Sequence, residues 1–112
     1  MHRNGFFHRD IKPENFLVSY SDDSSMKFQI KLGDLGLAKE CHFGADEHTE
    51  YVSTRWYRAP ELIIGTSNYT QSVDVFALGC IIGELYLGRP MFPGTSQQDQ
   101  LIKVVSVLGT PK

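Results

Sequence analysis

The sequence predicts an α+β fold, mainly helical, with one small antiparallel β-hairpin. Three observations carry this reading. Phe28, Ile30 and Leu32 alternate with Gln29 and Lys31 at the period of a strand, downstream of a short apolar run at Phe16-Leu17-Val18. The segment from Gln71 to Leu87 is apolar nearly all round, which predicts a buried helix. Beyond Ser96, residues Leu101, Ile102, Val104, Val105 and Leu108 recur at helical spacing.

Each element has its punctuation. The turn formers of "SYSDDSS" separate the two strands as a polar loop. Gly33 and Gly36 bracket Asp34 just past the second strand. From Lys39 to Thr54 the chain is polar with no sustained period, which predicts a long surface loop, and loops of that length inside compact domains are usually functional or disordered. Pro60 suits the first turn of a short helix. Gly88, Pro90 and Pro93 end the long helix. Ser96 reads as an N-cap with Asp99 at the third position, and Gly109 and Pro111 supply the stop. The apolar stripes of both helices are expected to be core.

The chain has 112 residues, which allows one domain and a modest core. With 41% hydrophobic and 21% charged residues it is ordinary globular material. A net charge of -2 offers no broad basic field for nucleic acid. Cys41 and Cys80 form neither a metal pattern nor a disulfide framework, so the expected setting is intracellular, cytoplasm or nucleus. His2, His42, His48 and Cys41 match no metal-ligand spacing. No signal peptide is read at the start. The longest apolar run, Val75 to Leu87, carries Glu84 and is too short to span a bilayer, so no membrane partner is expected.

The stretch "FFHRDIKPEN" concentrates polar chemistry. Asp10, Lys12 and Asn15 lie on a loop entering the first strand, and Asp34 lies on the turn leaving the second. A hairpin brings those ends close. Asn15 and Asp34 suit a hard cation such as Mg²⁺. Lys12 is a point charge suited to phosphate. Asp10 is left as a candidate base. Such a set suits phosphoryl transfer, where catalysis is mostly positioning and charge stabilisation. Taken alone, an Asp-Asn pair near a turn is more often turn chemistry than a metal site.

"HRDIKPEN", "DLG" and "APE" occur in the order and context of the protein-kinase signature set, and the chain resembles that family along essentially its whole length. "TEYVSTRWYRAPE" resembles the activation loop of the CMGC group, which holds MAP kinases, cyclin-dependent kinases and MAK/RCK-like kinases. "NGFFHRD" and "RPMFPG" with "LGTPK" lean toward the MAK/RCK-like branch, while "TEY" is also a MAP-kinase signature, so both subfamilies stay open.

The resemblance implies a kinase C-terminal-lobe fragment. Residues 1–112 would be a partial kinase domain with catalytic loop, Mg-binding loop, activation segment, buried central helix and following helix. The ATP-covering N-terminal lobe and the C-terminal end would be absent, since no G-x-G-x-x-G, no "VAIK" lysine and no partner glutamate occur. The implied activity is Ser/Thr-specific transfer from ATP with Mg²⁺, directed to sites followed by proline and switched on by an upstream kinase. Lys12, two residues after the base, resembles the Ser/Thr pattern. The alternative is a non-catalytic remnant or binding module.

By position, the resemblance gives Asp10 the substrate hydroxyl proton, Lys12 the transferring phosphate, and Asn15 and Asp34 the Mg²⁺. His8 and Leu35 would stack in the apolar spine beneath the site, Leu35 replacing the common Phe. Asp74 would brace the "HRD" backbone. Glu61 of "APE" would be structural. Thr49 and Tyr51 would be phosphorylated, with Arg9 reading the phosphothreonine and Arg55 and Arg58 the phosphotyrosine. Before phosphorylation these three cations are expected to converge with few local partners.

Overall fold

A computed structural model describes residues 1–20, 28–40 and 55–110. The strands are β1 (Phe6–Phe7), β2 (Phe16–Tyr20), β3 (Phe28–Leu32) and β4 (Lys39–Glu40), and the helices are α1 (Pro60–Ile63), α2 (Ser72–Leu87) and α3 (Gln97–Leu108). Single 3₁₀ turns occur at His2–Asn4, Pro13–Asn15, Leu35–Leu37 and Arg55–Tyr57.

The predicted hairpin forms, with β2 and β3 antiparallel and Phe16 opposite Leu32, Val18 opposite Ile30 and Tyr20 opposite Phe28. Because side chains alternate faces, that register gathers six apolar side chains on one face and leaves Ser19, Gln29 and Lys31 on the other beside Leu17. A second ladder was not anticipated from the sequence: β1 pairs with β4, Phe6 opposite Glu40 and Phe7 opposite Lys39. It brings the start of the chain beside the segment that follows the hairpin.

The helix ends follow local chemistry. Pro60 opens α1 at its first position, where a missing N–H costs nothing. Gly88 ends α2 with φ 68°, a left-handed conformation that glycine adopts without a Cβ penalty. Ser96 caps α3, its hydroxyl accepting the Asp99 N–H at 3.0 Å.

Two apolar clusters hold the elements together. Tyr57, Ala77, Cys80, Ile81, Phe92 and Val104 form the larger, and Phe7, Ala59 and Val73 the smaller. Phe76 touches both, and its ring stacks on Phe92 with centroids 6.4 Å apart. The expectation of a fully buried central helix is corrected here. Val73, Asp74, Ala77, Cys80 and Ile81 of α2 are buried, but Val75, Ile82, Leu85 and Tyr86 on its far side are exposed, Tyr86 at 91%. All the clustered residues lie on one side of the helix, so among the described residues nothing covers the other. Likewise only Val104 of the α3 apolar stripe is buried, while Ile102 and Leu108 face outward. No helix among the described residues is long and apolar enough to cross a membrane.

Candidate active site

The loop from His8 to Asn15 is held by side chains from three directions. From α2, Asp74 accepts the His8 N–H on Oδ2 at 2.7 Å and the Arg9 N–H on Oδ1 at 2.8 Å. Asp74 is 3% exposed, so each acceptor is matched to a donor that water does not reach freely. From the hairpin, the Gly33 carbonyl meets His8 Nε2 at 2.9 Å. His8 Nδ1 accepts the Asp10 N–H at 3.3 Å, which makes Nε2 the protonated nitrogen and the donor to Gly33. His8 is fully buried and its two ring nitrogens are thereby occupied in the backbone of the site.

The third hold comes from the loop itself. Asn15 sits in the 3₁₀ turn after Pro13, 7% exposed, and its amide donates to the Asp10 carbonyl at 2.7 Å and to Asp10 Oδ2 at 3.4 Å. Its own backbone is pinned on both sides, by Asn15 N–H to the Lys12 carbonyl at 3.0 Å and Gly33 N–H to the Asn15 carbonyl at 2.8 Å. Lys12 Nζ lies 3.0 Å from Asp10 Oδ2. The carboxylate of Asp10 therefore carries an ammonium and an amide on the same oxygen.

Asp34 follows Gly33 directly, in a left-handed conformation with φ 55°, and is exposed. Its Oδ1 accepts the Gly36 N–H at 3.4 Å. The bond between Gly33 and Asn15 ties Asp34 to the end of the His8–Asn15 loop. Asn15 spends its amide nitrogen on Asp10, which leaves its Oδ1 as an oxygen donor, and Asp34 offers an exposed carboxylate. One carboxylate and one amide oxygen fit Mg²⁺, which keeps several waters and takes phosphate oxygens for the rest. Among the described residues no cluster of three or more His, Cys, Asp or Glu side chains could hold a metal without such help.

The other predicted residues are placed as follows. Leu35 is 57% exposed and joins neither core cluster, which corrects its placement beneath the site with His8. The 3₁₀ turn that carries it follows the hairpin and leaves its side chain in solvent, so only His8 of that pair is packed inside. The Glu61 carboxylate receives the Ser72 hydroxyl at 3.5 Å on the surface. Thr49 and Tyr51 lie outside the described residues.

The three arginines are more engaged than expected. Arg9 has φ 71° and sets its guanidinium carbon over the Tyr69 ring, 5.6 Å from the centroid. Arg55 Nη1 donates to the Thr95 carbonyl at 3.1 Å. Arg58 is half-buried; burial is the main influence lowering its pKa, the neighbouring Arg55 charge lowers it further, and Asp10 opposes both. Arg9, Asp10, Arg58 and Asp74 line one small cavity against α2.

Sequence reasoning passed over four supporting residues. His2 Nε2 lies 2.7 Å from Asp74 Oδ2 and closes the acceptor's third contact. Gly33 acts through its main chain. Tyr57 donates to Glu84 Oε2 at 2.6 Å, linking the turn at 55–57 to α2, and burial followed by the Glu84 carboxylate raises its phenol pKa. Tyr69 carries the Arg9 contact. The signals were present only as residue types, and nothing local says which partner each finds.

A family model described as "Protein kinase domain" matches residues 1–110. The chain is 51% identical over 113 residues to the sporulation protein kinase mde3 of Schizosaccharomyces pombe, covering 99% of this chain and 20% of that protein. It is 49% identical over 112 residues to the human serine/threonine-protein kinase MAK, covering 100% of this chain and 17% of MAK. It is 50% identical over 111 residues to cyclin-dependent kinase F-3 of Oryza sativa subsp. japonica, with 99% of this chain and 24% of that kinase covered. The chain thus spans a quarter or less of the length of these curated relatives.

Proposed function

The chain belongs to the protein kinase domain family, among serine/threonine kinases of the CMGC group, and on that premise we propose that it carries the phosphoryl-transfer centre of a kinase that moves the γ-phosphate of ATP to protein Ser or Thr. Its place is the C-terminal lobe of such a domain. The observation that supports this most is the clamp on Asp10, whose carboxylate meets Lys12 at 3.0 Å while Asn15 holds its carbonyl at 2.7 Å.

In this reading the substrate hydroxyl oxygen attacks the γ-phosphorus, the bond to the β,γ-bridging oxygen breaks, and ADP leaves. The hydroxyl proton passes to the Asp10 carboxylate. Lys12, released from Asp10, neutralises charge on the transferring phosphoryl oxygens. Asn15 and Asp34 would hold Mg²⁺, which when bound supplies charge neutralisation at the phosphates. His8 and Asp74 act on geometry, by fixing the main chain at and just before the base.

Regulation belongs to the same proposal. An upstream kinase phosphorylates Thr49 and Tyr51, and Arg9, Arg55 and Arg58 receive the new charge, each phosphate adding about -1.5 to -2. The favoured substrates carry proline after the target residue, and the working compartment is the cytoplasm or nucleus.

The test uses a longer kinase that contains this segment. Asp10→Asn should lower kcat by about 10²- to 10⁴-fold, the range of a positioned general base, with ATP affinity unchanged. Equal losses in rate and nucleotide affinity would make Asp10 a structural or metal residue instead. A second reading, a non-catalytic module, is favoured for the 112-residue chain on its own, because these residues contain no G-x-G-x-x-G to cover the phosphates. Steady transfer from ATP by the purified chain would refute it.

A further inference from the structure

The loop between α1 and α2 holds Tyr69, which none of the catalytic motifs contains. Its ring and that of Phe7 meet in a T-shaped pair, with centroids 5.8 Å apart and planes at 80°. Phe7 is buried in the smaller cluster with Ala59 and Val73, and it is the residue just before His8. The other contact of the ring is Arg9, whose guanidinium carbon lies over it at 5.6 Å. Among the described residues no carboxylate pairs with that guanidinium. Arg9 therefore has both ends fixed by different elements. Its N–H is tied to Asp74 at 2.8 Å, with the main chain at φ 71°, and its head rests on a partly buried aromatic ring that packs against the smaller cluster.

We infer that Tyr69 is a positioning residue of the proposed kinase centre: its ring forms a platform that presents the Arg9 N–H groups to a phosphate arriving beside Asp10. The inference rests on the phosphoryl-transfer reading and adds the device that readies Arg9. The chemistry favours this arrangement. A guanidinium stacks through its planar, weakly hydrated face, while its five N–H bonds point outward in the plane. The ring thus takes the part of Arg9 that a phosphate does not need. A long side chain held in one place also loses less freedom when the anion binds, which is the gain from preorganisation. Arg9 also lines a small cavity with Asp10 and Arg58, so an anion seated on Arg9 also bears on the base loop.

The experiment uses the kinase containing this segment, with Tyr69→Phe and Tyr69→Leu, and reads two quantities. One is the Arg9 Nε–Hε NMR signal, which a ring face shifts upfield. The other is the activation ratio, kcat/KM of the phosphorylated form over the unphosphorylated form. Tyr69→Phe keeps the ring and should leave both as in the wild type. Tyr69→Leu should move the Arg9 signal to the position of a free arginine and cut the activation ratio about two- to five-fold, the strength of a partly exposed cation–π contact. In an Arg9→Gln background, Tyr69→Leu should change the ratio no further. An Arg9 signal already at the free position in the wild type overturns the inference. So does a Phe variant as impaired as the Leu variant, or a Leu variant that slows both forms equally, the mark of a purely structural role. A wild type with no transferase activity but a ring-shifted Arg9 would sink the kinase reading and support the platform.

Discussion

Replacing Asp74 with Asn tests the clamp on the loop that starts at His8, and its size follows from the contacts. The carboxylate of Asp74 is 3% exposed and accepts two main-chain N–H groups, His8 at 2.7 Å and Arg9 at 2.8 Å. An amide has one oxygen and one NH₂ group. Whichever way the side chain turns, one of the two N–H groups keeps an acceptor and the other faces a donor. Leaving a buried N–H without a partner costs about 1–3 kcal/mol. The surviving bond loses its charge assistance, about 1 kcal/mol more. The sum, about 2–4 kcal/mol, is large against the strain it opposes, since a non-glycine residue at Arg9's positive φ costs about 1–2 kcal/mol. At 1.4 kcal/mol per decade, the amide protection factors of His8 and Arg9 should fall about 30- to 700-fold in native-state hydrogen exchange. Amides of α3, which do not touch Asp74, serve as the internal control. Protection at His8 and Arg9 within three-fold of the wild type would refute the clamp. An equal loss across α3 would mean that the substitution unfolds the whole chain rather than releasing the loop.

Two further outcomes follow from the packing. Gly94→Ala would place a Cβ 2.6 Å from the Gln100 Cα, main chain that cannot swing aside, while Gln100 Oε1 already accepts the Gly94 N–H at 3.0 Å. The variant should lose more than about 1–3 kcal/mol, the usual range for overpacking, and an unchanged denaturant midpoint would contradict it. The Cys80 thiol is raised by burial to about 11 from 9.0. A group whose folded pKa is raised stabilises fully below its unfolded value, so its share of stability is lost as pH climbs from 9 through about 11. That share is about 2–3 kcal/mol, and Tyr57, raised above 10.0, adds to the loss only beyond pH 10. Cys80→Ala should flatten the stability curve between pH 9 and 10, and a slope there as steep as the wild type would remove Cys80 as its source.

Local pattern and tertiary contact divided the molecule between them. The strand Phe28–Leu32 and the cap at Ser96 were readable because each depends on neighbours within four residues. The polar set Asp10, Lys12 and Asn15 was readable for the same reason, since a loop of six residues can hardly avoid bringing them together. Hydrophobic period alone, however, overstated burial. In α2 the apolar residues run all round the helix, but which of them are covered depends on what packs there. Val75 and Ile82 are as apolar in sequence as Val73 and Ile81, and they are exposed.

The sequence by itself determined the element types, their ends and the chemistry concentrated near Asp10. Only the tertiary structure decided what holds that chemistry in place. Asp74 reaches His8 across 66 residues, His2 reaches Asp74 across 72, and His8 reaches the Gly33 carbonyl across 25. The pairing of β1 with β4, the ring of Tyr69 over Arg9 and the outward turn of Leu35 are of the same kind. A strand period or a helix cap is set by dihedral preference and by groups already adjacent in the chain. A bond between distant residues exists only once the chain has returned on itself, and its partner is chosen by the packing of α2 against the loops rather than by any residue's own preference.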